Sequence, residues 1–201
     1  MPLTLSALSA AAMLKQLTAE KHQQLEALML PCLTSITQKH QYVQLLHSFY
    51  GYFKPVEDAV APFMSNAVLP DWHLRRKAQS ILLDLAALEQ PISTIGLATE
   101  RPLIQTLPQA LGALYVMEGS TLGGRGITKM LLKNEAAGLQ PEHLQFFAGY
   151  GSQTGAMWTT FVNVLNSFSF TEEETAQMVE AANQTFYFFK TWLQETLVHD
   201  Y

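Results

Sequence analysis

The chain has 201 residues, of which 48% are hydrophobic and 14% charged, a balance typical of a globular domain and not of a disordered chain. Its net charge of −5 excludes the broadly basic surface that nucleic-acid binding needs. The single cysteine, Cys32, excludes an intramolecular disulfide and a cysteine-based metal cluster. No Lys or Arg precedes an apolar stretch in the first thirteen residues, and no uninterrupted apolar run is long enough to span a bilayer. We therefore expect a cytoplasmic protein without a membrane partner.

Apolar residues recur at helical spacing along most of the chain, and alternating strand-like segments bounded by hairpin turns are absent from the sequence. The predicted helices cover about 10–29, 36–64 with a bend at Pro55, 72–89, 108–134, 153–167 and 171–197. No repeat, low-complexity stretch or linker divides the sequence. The prediction is a single all-α domain over residues 1–201, built from antiparallel neighbouring helices.

Two of these helices have predicted ends. The helix at 72–89 carries an apolar stripe, with Asp71 as a possible N-cap and Pro91 just beyond its end. The stripe consists of Leu74, Ala78, Ile81, Leu82, Leu85 and Leu88. The last helix is preceded by Thr171 with Glu174 three residues later, which is a capping-box pattern.

The segment 111–126 is unusual because four glycines fall within eight residues of a predicted helix: Gly119, Gly123, Gly124 and Gly126. Each glycine costs a helix about 1 kcal/mol relative to alanine. Glycine lets a backbone approach a flat ligand and lets a helix kink, and Gly119 and Gly123, four residues apart, share one face. Tight packing against another helix explains the glycines equally well. A phosphate-binding loop is not favoured, because no strand precedes the segment and no Gly-Lys-Ser/Thr ends it.

His22 lies on the first predicted helix, one turn before Glu26. A carboxylate at this spacing can accept a hydrogen bond from one ring nitrogen, which fixes the tautomer and makes the other nitrogen a better metal ligand. Neutral imidazole is a common ligand of haem iron. Taken alone, a histidine on a helix is more often an ordinary surface or core residue. His40 and His47 have no carboxylate three or four residues away, so we favour His22.

Together, the segment from Leu14 to Glu26 and the segment from Tyr115 to Gly124 resemble the haem oxygenase family. The likeness is greatest to the bacterial branch, which includes enzymes that supply biliverdin to phytochromes. The resemblance implies a haem-oxygenase-like helical bundle with a kinked, glycine-rich distal helix. It also implies that haem is both cofactor and substrate. External electrons and O2 would cleave it to biliverdin, carbon monoxide and iron.

On the proximal side, the resemblance assigns His22 to the iron and Glu26 to the position of its helical neighbour. Lys15, seven residues before His22, matches a lysine that meets a haem propionate. Tyr115 matches a tyrosine near the propionates in bacterial members. The resemblance therefore implies that Lys15, Glu26 and Tyr115 contact the haem and that His22 binds the metal.

On the distal side, Gly119 and Gly123 match glycines that lie against the haem face. Ser120 stands where animal members carry an aspartate that holds distal water, so Ser120 is the candidate to hold that water here. We expect Gly119, Ser120 and Gly123 to form the catalytic face. Phe186 could supply a further haem wall together with Phe189, although ordinary core packing explains both rings as well.

Four basic residues, Lys21, Arg125, Lys129 and Lys133, lie in or near the two haem-facing segments and are expected to attract an acidic electron donor such as a ferredoxin or a reductase. An ordinary solvated face is the alternative. A phytochrome is a possible receiver of the biliverdin. Two other functions stay open at this point. One is a haem-binding sensor or carrier without turnover, and the other is a non-haem, thiaminase-like member of the same fold.

Overall fold

The computed structural model describes residues 8–91 and 95–197, and this part of the chain is α-helical without a strand. The helices are α1 Ala10–Leu17, α2 Ala19–Thr34, α3 Lys39–Val60, α4 Gln79–Ala87, α5 Leu107–Lys133, α6 Gln145–Ala148, α7 Thr154–Ser167 and α8 Glu172–Leu197. Single 3-10 turns occur at Ala61–Phe63, Trp72–Leu74, Glu135–Ala137, Pro141–His143 and Gly151–Gln153. The predicted all-α class is confirmed.

The long helices α5 and α8 pack along each other and form the centre of the bundle. Helix α2 lies against both, α3 packs against both from another side, and α6 and α7 cover α5. Aromatic rings fill the space where α3, α6 and α8 meet, with Phe49, Phe53, Phe146 and Phe189 in edge-on contact 5.0–5.6 Å apart. This core joins α3 and α8 to α6, which in turn packs against α5.

The first predicted helix is distorted at Thr18, where α1 ends and α2 begins. The Thr18 hydroxyl donates to the Leu14 carbonyl at 2.7 Å, and the backbone there has φ −108° and ψ −1°. Helical hydrogen bonds continue across the junction, since the His22 N–H donates to the Thr18 carbonyl at 3.0 Å. Helix α2 also runs past the predicted end, through Pro31, to Thr34.

The prediction of a helix over 72–89 is wrong in its first half. Residues Trp72–Leu74 make one 3-10 turn, Arg75 is extended with ψ 142°, and α4 begins only at Gln79. Asp71 does not cap a helix, because its carboxylate is bound to the Arg75 guanidinium at 2.7 Å. Leu74 belongs to the predicted buried stripe, yet it is 61% exposed. The reason is the buried ion pair between Arg75 and Glu118 of α5. Arg75 forms this pair from an extended backbone, which interrupts the helix at this point.

Two other helix ends follow the sequence closely. The Thr171 hydroxyl accepts from the Glu174 N–H at 3.2 Å, and the Glu174 carboxylate accepts from the Thr171 N–H at 2.8 Å, which confirms the predicted capping box. Thr106 and Gln109 form a second box at the start of α5. Helix α5 is then unbroken through all its glycines, and α3 is unbroken through Pro55. A kink in α5 and a bend in α3 stay predictions.

Two glycines of α5 are explained by packing alone. A Cβ built on Gly124 would collide with the carbonyl of Phe147 in α6, and one built on Gly112 would collide with the carbonyl of Met178 in α8. A backbone atom cannot move aside as the end of a side chain can. The packing explanation for the glycine-rich segment therefore holds at Gly124.

We expect Gly124→Ala to destabilise the apo-protein by about 1–3 kcal/mol, the usual cost of overpacking, because α6 must move away from α5. Gly126→Ala is the matched control. No atom of the described residues lies within 4 Å of a Cβ at Gly126. The control should therefore gain up to about 1 kcal/mol from helix propensity. Denaturant unfolding of both variants measures the difference, and equal stabilities would contradict the packing explanation.

Candidate functional site

His22 lies early in α2 with 54% of its side chain exposed. Its Nε2 is 3.4 Å from Oε1 of Glu26, slightly beyond a normal hydrogen bond, so the carboxylate stands beside the ring without holding it tightly. Which ring nitrogen faces Glu26 depends on a rotation that an exposed imidazole makes freely. The pair can therefore offer either nitrogen to a ligand and bind the other to the carboxylate.

Phe186 and Phe189, three residues apart on α8, have different surroundings. The buried Phe186 ring lies 5.4 Å from the His22 ring, tilted by 43°. Phe189 stacks on Tyr52 at 4.9 Å and meets Phe49 edge-on at 5.0 Å. The structure therefore brings Phe186 to the histidine and places Phe189 in the core.

Gly119 and Gly123 differ from the packed glycines because a side chain there would not collide with the protein. Gly123 is exposed, and no described atom lies within 4 Å of a Cβ built on it. A Cβ at Gly119 would be in ordinary contact with the indole of Trp158, at 3.7 Å. Helix α5 thus has a bare face on which a flat group can approach its backbone, as the fit of a porphyrin requires.

Ser120 directly follows Gly119, and its hydroxyl makes two hydrogen bonds within the protein. Its hydroxyl accepts from Nη2 of Arg76 at 2.7 Å and donates to the Met117 carbonyl at 2.7 Å. Arg76 also donates to the Met117 carbonyl, and its guanidinium lies over the Phe146 ring at 4.2 Å. A hydroxyl has one donor and two acceptor positions, so Ser120 keeps one acceptor position for water.

A buried ionic network anchors α5 next to Ser120. Arg75 and Glu118 pair at 2.7 Å, and their side chains are 0% and 4% exposed. The Tyr150 hydroxyl donates to the Glu118 carboxylate at 2.9 Å and accepts from the Arg76 N–H at 2.8 Å. Burial, and then the charge of Glu118, raise the pKa of Tyr150, so the phenol stays protonated. Moving this part of α5 would break the network and leave a buried charge unpaired, which is costly. The network therefore holds this part of α5 in place.

Sequence reasoning missed Arg75 and Arg76, and two features of the sequence point to them. Glu118 is a lone carboxylate in a stretch of α5 that is otherwise small or apolar. Arg75 and Arg76 are adjacent cations that directly follow Leu74 of the apolar stripe assigned to 72–89. Buried charges are usually paired, so a lone carboxylate in an apolar stretch predicts a cationic partner elsewhere in the chain.

The two residues expected at the propionates sit on different helices. Lys15 is exposed in the last turn of α1. Tyr115 of α5 is half-buried, with its ring 5.4 Å from that of Trp158, and burial raises the pKa of its hydroxyl. No hydrogen bond joins Lys15 to Tyr115 within residues 8–91 and 95–197.

The basic residues form a stripe on α5. Arg125, Lys129 and Lys133 are spaced four residues apart, all are exposed, and none forms an ion pair within the described part of the chain. Lys21 of α2 lies with its Nζ 5.8 Å from the centre of the Tyr187 ring of α8. None of the helices that the structure describes is both long and apolar enough to cross a membrane.

Comparison with known proteins assigns the class. The haem oxygenase family model matches residues 8–195. A haem oxygenase of Xanthomonas campestris is 29% identical over 152 residues, covering 76% of this chain and 88% of that protein. Haem oxygenase PigA of Pseudomonas aeruginosa is 27% identical over 189 residues, with 91% and 90% covered.

Solved structures agree on the fold. The haem oxygenase of Neisseria meningitidis superposes with a TM-score of 0.80 at 24% identity, covering 97% of this chain and 96% of that one. The haem oxygenase of the cyanobacterium Synechocystis, solved with haem, superposes with a TM-score of 0.74 at 19% identity and 95% coverage of both chains.

The chain belongs to the haem oxygenase family. It is an oxidoreductase that binds haem, as the resemblance of the segments 14–26 and 115–124 indicated. Family membership also decides between the open alternatives, in favour of a haem oxygenase over a non-haem protein of the same fold.

Gly123→Ala tests whether the bare face of α5 exists for the haem. The apo-protein should be as stable as the wild type or up to about 1 kcal/mol more stable, because alanine favours the helix and its Cβ meets no neighbour. Haem degradation should slow, because the methyl group occupies space next to the porphyrin. Thermal unfolding of apo-protein and single-turnover haem degradation give the two values.

Gly155→Ala in α7 is the matched control, since a Cβ there also meets no described atom within 4 Å. It should also leave the stability unchanged or raise it by up to about 1 kcal/mol, but it should not slow turnover. A destabilised Gly123→Ala protein with normal turnover per folded molecule would contradict the assignment of this face.

Proposed function

We propose that this chain cleaves haem to biliverdin, carbon monoxide and iron, with His22 as the protein ligand of the iron. The observation that carries the proposal is the exposed His22 imidazole, which has Glu26 at 3.4 Å on one side and Phe186 at 5.4 Å on the other. Helix α2, which carries it, packs against α5, whose bare glycine face is the distal candidate. Bound haem supplies the redox chemistry and is itself the substrate.

Glu26 positions the His22 ring in this proposal. A carboxylate that accepts the N–H of one ring nitrogen leaves the lone pair of the other nitrogen for the metal and makes it more basic. A 3.4 Å separation on an exposed helix face needs only a small side-chain adjustment to become that bond. Phe186 lies beside the imidazole, with the ring centres 5.4 Å apart.

Lys15 and Tyr115 orient the haem by its propionates. The Lys15 ammonium is exposed and can follow a carboxylate, whereas Tyr115 is half-buried, and burial raises the pKa of its hydroxyl, which stays protonated as a donor. Hydrogen bonds to charged groups are each worth about 1.5–3 kcal/mol when well made. Two such bonds on one edge of the porphyrin would set which edge enters first.

The distal side is formed by Gly119, Gly123 and Ser120. The glycines let the haem lie close to the α5 backbone. Since the hydrogen of the Ser120 hydroxyl is committed to the Met117 carbonyl, Ser120 acts toward water only as an acceptor. Arg76 donates to the same oxygen and keeps it in place. A water held there would point one O–H at Ser120 and keep its other hydrogen available as a proton donor.

Electrons come from outside, and the exposed stripe of Arg125, Lys129 and Lys133 suits an acidic donor such as a ferredoxin or a reductase. The stripe continues the same helix that carries the glycine face, so a donor bound there lies near the haem. The cytoplasm is the compartment we propose, since such donors occur there. Released biliverdin would be available to a phytochrome in the same compartment.

Haem titration and His22→Ala test the ligand. Hemin should bind the wild type one to one and give a ferric spectrum with histidine and water on the iron. His22→Ala should lose the iron–histidine stretching band in resonance Raman spectra. His73→Ala, which changes an exposed histidine far along the chain, is the control and should keep the band.

Adding ascorbate or a ferredoxin system in air completes the test. The wild type should lose its Soret band and form biliverdin. Stable haem under these conditions would show a carrier, and an unchanged iron–histidine band in His22→Ala would refute the ligand assignment.

Lys129→Glu tests the donor surface. Reversing a charge in the middle of the stripe should slow turnover with an acidic protein donor about tenfold at low ionic strength, because electrostatic steering is lost. Turnover with ascorbate should not change. Arg101→Glu makes the same change in net charge at an exposed position before α5 and should have little effect. Equal rates of both variants with the protein donor would indicate an ordinary solvated face.

A further inference from the structure

Trp158 of α7 covers one end of the bare face of α5. Its six-membered ring, through Cζ3 and Cη2, lies 3.7 Å from the place a Cβ on Gly119 would occupy. Nothing in the described chain lies that close to a Cβ on Gly123, one turn further along the helix. The two glycines expected to meet the haem are therefore not equivalent. The Trp158 indole partly covers Gly119, whereas Gly123 is open.

The Trp158 indole is held in place by neighbours on both sides. Its ring centre is 5.7 Å from that of Phe161, which is fully buried one turn later in the same helix. On α5, the Tyr115 ring lies 5.4 Å away and tilted by 53°. The half-buried indole thus bridges the predicted propionate contact, Tyr115, and the first glycine of the bare face.

We propose that Trp158 is a positioning residue of this site, which confines the haem ring toward Gly123 and selects its in-plane orientation. The inference rests on the proposed function. A porphyrin is nearly four-fold symmetric, so its orientation is decided by the few contacts that distinguish its edges. A rigid, apolar indole next to the edge held by Tyr115 disfavours the orientations whose substituents would overlap it. The ring edge left toward the open Gly123 end is then the one that is oxidised.

The test compares Trp158→Ala and Trp158→Phe with the wild type and with Trp192→Phe. Trp192 is the matched control because its indole packs elsewhere, donating to the Ser48 carbonyl at 2.7 Å and lying against Gly51 of α3. Two readouts report orientation: the haem methyl resonances in proton NMR spectra of the ferric cyanide complex, and the isomer ratio of the biliverdin formed. The first does not depend on turnover.

In Trp158→Ala we expect a second set of methyl resonances and a rise of about tenfold in the minor biliverdin isomer, because a large aromatic contact is lost. Trp158→Phe should restore most of the wild-type pattern, since it keeps a ring at this place. Trp192→Phe should keep one set of resonances even if its apo-protein melts at a lower temperature.

Unchanged resonances and isomer ratio in both Trp158 variants would overturn the proposal while leaving the function intact. So would the same mixture in Trp192→Phe, because orientation would then follow general stability. If Trp158→Ala fails to fold, Trp158→Leu provides the comparison without a ring. A wild-type chain that neither binds nor cleaves haem would instead overturn the proposed function, and this inference with it.

Discussion

The approach of α5 to the backbones around it is the constraint on which the rest of the structure depends. At Gly112 and Gly124 there is no room for a methyl group, because carbonyls of Met178 and Phe147 occupy its place. Helices can meet at this distance only through glycine. The contact fixes α8 on one side of α5 and α6 on another, and it is α8 that brings Phe186 to His22. A site between helices depends on the distance between those helices, and here Gly112 and Gly124 fix the distances of α5 from α8 and α6.

The same residue type has the opposite use at the neighbouring position, Gly123. At Gly123 the missing side chain leaves open space, and at Gly119 it leaves ordinary contact distance. A helix this poor in side chains has little intrinsic stability, since each glycine costs about 1 kcal/mol. The buried pair of Arg75 and Glu118 joins this part of α5 to the segment before α4, and removing either partner alone would leave the other charge buried and unpaired.

Periodicity alone predicted most of the helices, because amphipathic spacing, caps and prolines are local properties of the sequence. It failed between residues 72 and 78, where a partner 43 residues further along the chain decides the backbone conformation of Arg75. It also left α6 unassigned, since four residues carry no period. In the glycine-rich segment, the sequence left packing and ligand approach as alternatives. Both occur there, at adjacent positions, and only three-dimensional neighbours distinguish Gly123 from Gly124.

Ser120 shows why a site residue cannot be interpreted from its own identity. Where the family's animal members carry an aspartate, serine alone suggests a weaker hold on water, since it has no charge and only one oxygen. Here the guanidinium of Arg76 donates to that oxygen at 2.7 Å and directs the hydroxyl hydrogen to the Met117 carbonyl. The guanidinium therefore fixes the hydroxyl as an acceptor, so in the proposed site it can hold a distal water by one of that water's hydrogens. The placement of that water would then depend on a residue of the loop before α4, which no motif of α5 reveals.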